Sequence, residues 1–140
     1  MDAQSHSTTA AAIDIPLVVA RLTEFAPAVV YLFGSAAAGR LAASSDVDIG
    51  FLPHHPCDPV AVFDAAQRLA GDLGRDVDLV DLSRASVVFR AQVLTTGIAV
   101  HVADGRKRDD FEMYVLSDYA RTNEERREVL EAYRGSRHAG

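Results

Sequence analysis

Apolar residues fall in short runs separated by turn formers, and the runs alternate between strand and helix periodicity. Residues 1–12 are rich in Ser, Thr and Ala without apolar periodicity and read as a frayed tail. Pro16 suits the first turn of a helix reaching about Phe25, and Pro27 ends it. The apolar run Val29 to Phe33 reads as a buried strand broken by Gly34, after which Ser35 to Leu41 opens a short helix. A second strand starts at Asp46 and passes through Ile49, Phe51 and Leu52. Three prolines between residues 53 and 59 make a loop. Val60 to Leu73 reads as a helix with Val62, Phe63, Ala66, Leu69, Ala70 and Leu73 on one face, stopped by Gly74.

Further on, Asp76 to Leu82 alternates strictly. Val77, Leu79 and Asp81 point one way, and Asp76, Asp78 and Val80 the other. This reads as a central strand, where an inward carboxylate needs a metal or cation to meet it. Ser83 or Arg84 opens another helix through Val87, Val88, Ala91 and Leu94 to Gly97, and Ile98 to Val102 is an edge strand. Arg106 to Arg134 is a long helical stretch with a break expected near Thr122 and Asn123. The pattern predicts an α/β (α+β) fold: one small mixed sheet flanked by helices, as a single domain over 13–104 with a C-terminal helical extension over 105–140.

Composition narrows the function classes. A chain of 140 residues can bury a core, and 49% hydrophobic with 24% charged content is that of a soluble globular protein. The net charge of −6, without a basic tract, argues against nucleic acid as the main partner. The lone Cys57 cannot form an internal disulfide. No apolar segment approaches membrane-spanning length and the N-terminus lacks a signal pattern, so the expected location is the cytoplasm.

The chemistry concentrates in two places. Gly34 and Ser35 sit where a strand feeds a helix, and a helix N-terminus carries unpaired N–H groups that welcome an anion. Gly34 allows close approach of a phosphate, and the Ser35 hydroxyl can donate to it. Asp46 and Asp48 leave the same face of the next strand and make a seat for Mg²⁺. Read plainly, Gly34 and Ser35 are a strand-to-helix turn with Ser35 as N-cap, Asp46 and Asp48 an N-cap and turn pair, and Asp76 and Asp78 a solvated strand face. His54, His55 and Cys57 are too cramped by Pro56 to make a good zinc site. His101, near a strand end, reads as a packed or surface histidine. The 121–128 segment reads as a solvated face with internal ion pairs. Phe111, Val115 and Tyr119 recur at four-residue spacing, with Leu130 and Tyr133 adding apolar surface beyond; the plain reading packs this stripe on the protein's own sheet, and the sharper one leaves its C-terminal end exposed for a partner.

Gly34-Ser35, ten residues, then Asp46-Val47-Asp48 resembles the signature of polymerase-beta-type nucleotidyltransferases, and the compact chain resembles their minimal nucleotidyltransferase (MNT) branch, the antitoxins of HEPN/MNT toxin–antitoxin pairs. The resemblance runs from about Ala28 to Tyr133. It implies a nucleotidyltransferase fold with a third carboxylate in a Val-Asp-Leu-Val context, which here is Asp78. It implies two Mg²⁺ ions on Asp46, Asp48 and Asp78, ATP held at Gly34 and Ser35, and Asp78 as acceptor of the attacking hydroxyl's proton. The implied reaction is transfer of AMP from ATP to a tyrosine of a partner HEPN ribonuclease toxin, which silences it. Relatives that modify antibiotics or polymerise nucleic acid carry extra domains to position the acceptor. The short remainder after residue 104 instead favours an acceptor on another protein. One departure stands out: the family writes Gly-Ser-x-Ala-Arg-Gly, and Ala38 fills the Arg slot. That keeps in view an antitoxin acting by binding alone; the other alternative is a small-molecule (aminoglycoside-type) nucleotidyltransferase using a subunit interface as its acceptor pocket.

Overall fold

The computed structural model describes residues 13–37 and 46–139. The expected tail and most of the helix expected over Ser35 to Leu41, Ala38 and Arg40 included, lie outside them; residues 34–37 form a turn. Helix α1 (Ile15–Arg21) starts where the Asp14 carboxylate accepts a hydrogen bond from the Leu17 N–H, with Pro16 in its first turn. The helix expected to reach Phe25 is split, because Thr23–Phe25 tightens into a 3₁₀ turn. Pro27 disfavours right-handed helix at the residue before it, and Ala26 accordingly turns left-handed at φ 47°.

Four strands follow: β1 (Pro27–Phe33), β2 (Val47–Pro53), β3 (Val77–Asp81) and β4 (Ile98–Val102). Their order in the sheet is β3-β2-β1-β4. β1 runs antiparallel to both neighbours, and β3 lies parallel to β2 after the crossover through α2 (Pro59–Leu73). The mixed sheet is therefore as expected, but β3 is an edge strand, not a central one. The following strand returns to pair with β1 instead of extending the sheet beyond β3. The two central strands are almost wholly buried, which is why they read as continuous apolar runs and not as alternation.

Each face of the sheet has its own core. On one, Val30, Leu32, Val47, Ile49 and Phe51 pack against Val18 and Leu22 of α1 and its C-terminal flank, and against Ala65 and Leu69 of α2. Asp58 caps α2, Gly74 ends it at φ 66°, and Arg21 forks onto Asp72 at 2.6 and 3.2 Å to tie α1 to α2. Phe63, expected on the inner face of α2, is exposed. The helix seats itself on the small Ala61 and Ala65 with Leu69 and Leu73, which puts position 63 on the far side.

On the other face, Val29, Tyr31, Phe33 and Leu52 meet α3 (Val87–Thr96) and α4 (Gly105–Ala139). α3 begins later than expected because Asp81 first claims the chain: its Oδ1 accepts from both the N–H and the hydroxyl of Ser83. Ser86 then caps the helix, accepting from the Phe89 N–H at 3.1 Å. α4 runs unbroken through Thr122 and Asn123, correcting the expected break. Neither residue costs a helix interior more than about 0.7 kcal/mol, too little to interrupt a long helix. α4 is held to the sheet by the Tyr31 hydroxyl, which donates to Glu112 Oε2 at 2.6 Å. Burial first, and then Glu112, push the ionisation of Tyr31 far above its ordinary range, so it stays a donor. Arg90 of α3 lies 5.9 Å over the Phe111 ring and donates to the Leu82 and Ser83 carbonyls. The side chains of Leu130 and Tyr133 lie outside the described residues.

Candidate active site

The register of the sheet brings the predicted carboxylates together. Asp48 of β2 faces Phe33 across the antiparallel pair with β1, and Asp78 across the parallel pair with β3. Phe33, Asp48 and Asp78 thus form one row across three strands, with strand spacing of roughly 4.8 Å. Asp46, two residues before Asp48, is exposed just ahead of β2, where the Val47 N–H donates to the Asp76 carbonyl at 2.9 Å. The row ends on the face covered by α3 and α4, at the edge of the core and not within it.

Asp48 is the half-buried member, while Asp46 and Asp78 are exposed. Its carboxyl is pushed above the usual carboxylate range by burial first, then by the charges of Asp78 and Asp46. Three carboxylates close enough to repel one another, one of them partly desolvated, make a hard-oxygen donor set that a divalent cation satisfies. Among the described residues no three His, Cys, Asp or Glu side chains are gathered tightly enough to form a ready metal cage. The three aspartates are adjacent without converging on one point.

Gly34 completes the geometry. It follows Phe33 at φ 67°, a left-handed conformation that L side chains avoid, and a Cβ there would collide with Asp48 Oδ2. The sequence gives Gly34 a reason in phosphate approach; the second reason, room for the neighbouring carboxylate, has no local sequence signal. Gly34 is exposed and Ser35 half-buried in the 34–37 turn, so open backbone stands directly beside Asp48.

Other candidates lie elsewhere. The ring of His54 sits between the Ala26 carbonyl (2.7 Å) and Asp104 (3.2 Å), tying the loop after β2 to the start of α4. Those contacts, the Ala26 carbonyl foremost, raise its affinity for a proton. Cys57 is buried, its thiol 3.5 Å from the His55 carbonyl. His101 pairs with Val30, three residues along β1 from Phe33. Among the described residues no helix is long and apolar enough to cross a membrane.

Comparison with known proteins shows the family and the fold. The family model "Polymerase beta, Nucleotidyltransferase" matches residues 21–106. The protein adenylyltransferase MntA of Shewanella oneidensis is 38% identical over 104 residues, covering 73% of each chain. A crystal structure of a toxin–antitoxin with AMP-PNP superposes with a TM-score of 0.76 at 32% identity, over 85% of this chain and 97% of that one. A chain from the complex of tri-AMPylated Shewanella oneidensis HEPN toxin with MNT antitoxin superposes at 0.69 and 30% identity, over 83% and 92%.

Proposed function

The chain belongs to the polymerase beta nucleotidyltransferase family, and from that premise we propose that it is a protein adenylyltransferase, the antitoxin of a HEPN ribonuclease toxin, which it silences by transferring AMP from ATP to a tyrosine hydroxyl. The observation that carries this reading is the row Asp48–Asp78 beside the Gly34 turn, with Asp46 adding its charge. It sits in a chain similar over most of its length to an adenylyltransferase and to MNT antitoxins seen with their toxin.

In this reading Asp46, Asp48 and Asp78 hold two Mg²⁺ ions. Bound there, the metals would neutralise the triphosphate, ease departure of pyrophosphate and lower the pKa of the acceptor hydroxyl. The chain's own groups do the rest. The Gly34–Ser35 turn receives the phosphates through backbone N–H groups and the Ser35 hydroxyl. A tyrosine hydroxyl, with an ordinary pKa near ~10, needs a base to attack at neutral pH, and in this reading Asp78, exposed at the sheet edge, takes that proton. The bond formed joins the tyrosine oxygen to the α-phosphorus, and the bond broken releases pyrophosphate. Residues 13–104 act as the transferase domain and 105–140 as the extension that packs on it and faces the toxin. The compartment this implies is the cytoplasm, where ATP and its partner are made.

The test is AMP transfer to the HEPN protein encoded beside this chain, in the presence of ATP and Mg²⁺. Asp46→Asn or Asp48→Asn abolishes transfer with the circular-dichroism spectrum unchanged, and so does chelation by EDTA, reversed by added Mg²⁺. Transfer that persists in either variant contradicts the assignment. Ala38, standing where the family has Arg, favours one second reading, neutralisation by binding alone. An Asp46→Asn/Asp48→Asn double variant that protects cells as well as the wild type decides for it.

A further inference from the structure

The loop between β2 and α2 is fastened at both ends, and the first fastening is a histidine set between two acceptors. The His54 main-chain N–H donates to the Ala26 carbonyl at 3.2 Å, and the ring Nδ1 lies 2.7 Å from the same oxygen. The other ring nitrogen, Nε2, lies 3.2 Å from Asp104 Oδ2. Asp104 is held in place by a second duty: its Oδ1 accepts from the Lys107 N–H at 3.0 Å and caps the start of α4. At the far end of the loop, Arg84 donates to the Cys57 carbonyl at 3.0 Å.

Both partners of the ring are acceptors, and that decides which form of the ring fits. A neutral imidazole has one N–H, so it serves one of the two oxygens and turns a lone pair on the other. An imidazolium donates to both. The shorter contact, to Ala26, is the one a neutral ring would keep, which leaves the Nε2 lone pair against a carboxylate. The groups around the ring are Asp104 and Lys107 from α4 and the titratable His55 ring, 6.4 Å away in the loop; the turn at Ala26 presents its carbonyl. The Ala26 hydrogen bond, then Asp104, raise the ring's affinity for a proton, while burial and Lys107 oppose it. Asp104 itself is held below the usual carboxylate range, by the Lys107 N–H first and then by His54, so it stays ionised where the ring titrates.

We propose that His54 is a proton-operated clasp: its imidazolium ties the β2–α2 loop to the start of α4, and loss of the proton opens the arm to Asp104 and loosens the loop around Cys57. α4 keeps its own cap through Asp104 Oδ1, so the opening is local to the loop. Cys57 is buried in the closed loop, its thiol 3.5 Å from the His55 carbonyl. The sign follows from linkage. The stability that the clasp adds is complete below the ordinary histidine value of about 6.5 and is lost as pH rises through the raised folded value. His54 follows β2 at the end opposite Asp48, so the clasp is independent of the reaction proposed at the carboxylate row.

The test compares the full wild-type chain with His54→Gln and with Asp104→Asn, a change that keeps an acceptor for the helix cap. The wild-type thermal midpoint is expected to exceed that of His54→Gln at about pH 5.5, with the gap narrowing to its minimum by about pH 9. Taking the difference at each pH cancels Asp48, which titrates in both proteins. A gap that does not change with pH overturns the clasp. Nuclear magnetic resonance reads the same ring in the wild type: the His54 ring should titrate above the ordinary value and fall back toward it in Asp104→Asn. A wild-type His54 ring that titrates at or below the ordinary value contradicts the proposal, even if both variants are unstable. Cys57, the chain's single cysteine, reports on the loop. Its labelling by dithiodipyridine should be severalfold faster in His54→Gln than in wild type at about pH 5.5, and equal by about pH 9. Equal rates at both values show that the loop stays closed without the proton, which refutes the opening.

Discussion

Asp48 carries the sharpest conflict between stability and chemistry. Its carboxyl is raised by burial and by two like charges, so in metal-free protein the ionised form is disfavoured in the folded state. The sign follows: stability is greatest when Asp48 is protonated, and it falls as pH rises from the unfolded value through the raised folded one. Asp48→Asn should therefore raise the thermal midpoint of the metal-free protein at pH 7 while removing activity, and the gain should vanish at acid pH. Thermal melts at pH 7 and pH 4 with EDTA check both halves. An unchanged or lower midpoint at pH 7 contradicts the like-charge account. Gly34 behaves oppositely. Gly34→Ala places a Cβ on Asp48 at a positive φ, costing about 1 kcal/mol or more and displacing the carboxylate; urea titration and AMP transfer should both fall. At this scale the sequence singles out Asp46 and Asp48, because Asp-x-Asp follows Gly34-Ser35 at a short spacing along the chain. It did not show which one is half-buried. That depends on strand order, which local spacing does not encode.

Elements are positioned by a few polar contacts whose loss is measurable. Ser86 caps α3, and Ser86→Ala should cost about 1 kcal/mol in chemical denaturation. Because α3 ends against Leu32 and Phe33, fraying it also loosens the wall beside Asp48. Tyr31 and Glu112 join β1 to α4. Tyr31→Phe leaves a half-buried carboxylate without its donor, for about 1–3 kcal/mol. Glu112→Gln, which can still accept that bond, should cost less, and the same loss from both changes would argue against the hydrogen bond as the anchor. The helices and strands themselves were legible in the sequence from periodicity, turn residues and caps. Their ends were less so. Asp81 holds Ser83 and delays α3, and Thr122 and Asn123 looked like a break but are outweighed by a long continuous helix. Phe63 misled because helix seating on Ala61 and Ala65 is decided by how closely the helix can approach the sheet, which favours small residues over the largest apolar one.

As a whole, the molecule is a four-stranded sheet with one face closed by α1 and α2 and the other by α3 and α4. Each face has its own core, and the face under α3 and α4 also carries the carboxylate row at its edge. The most direct measurement is the intact mass of the neighbouring HEPN protein after incubation with this chain, ATP and Mg²⁺. The account predicts an increase of one or more AMP units, absent with Asp46→Asn and absent with EDTA. An unchanged mass, from a preparation in which the two proteins form a stable complex and the ribonuclease is silent, would contradict it.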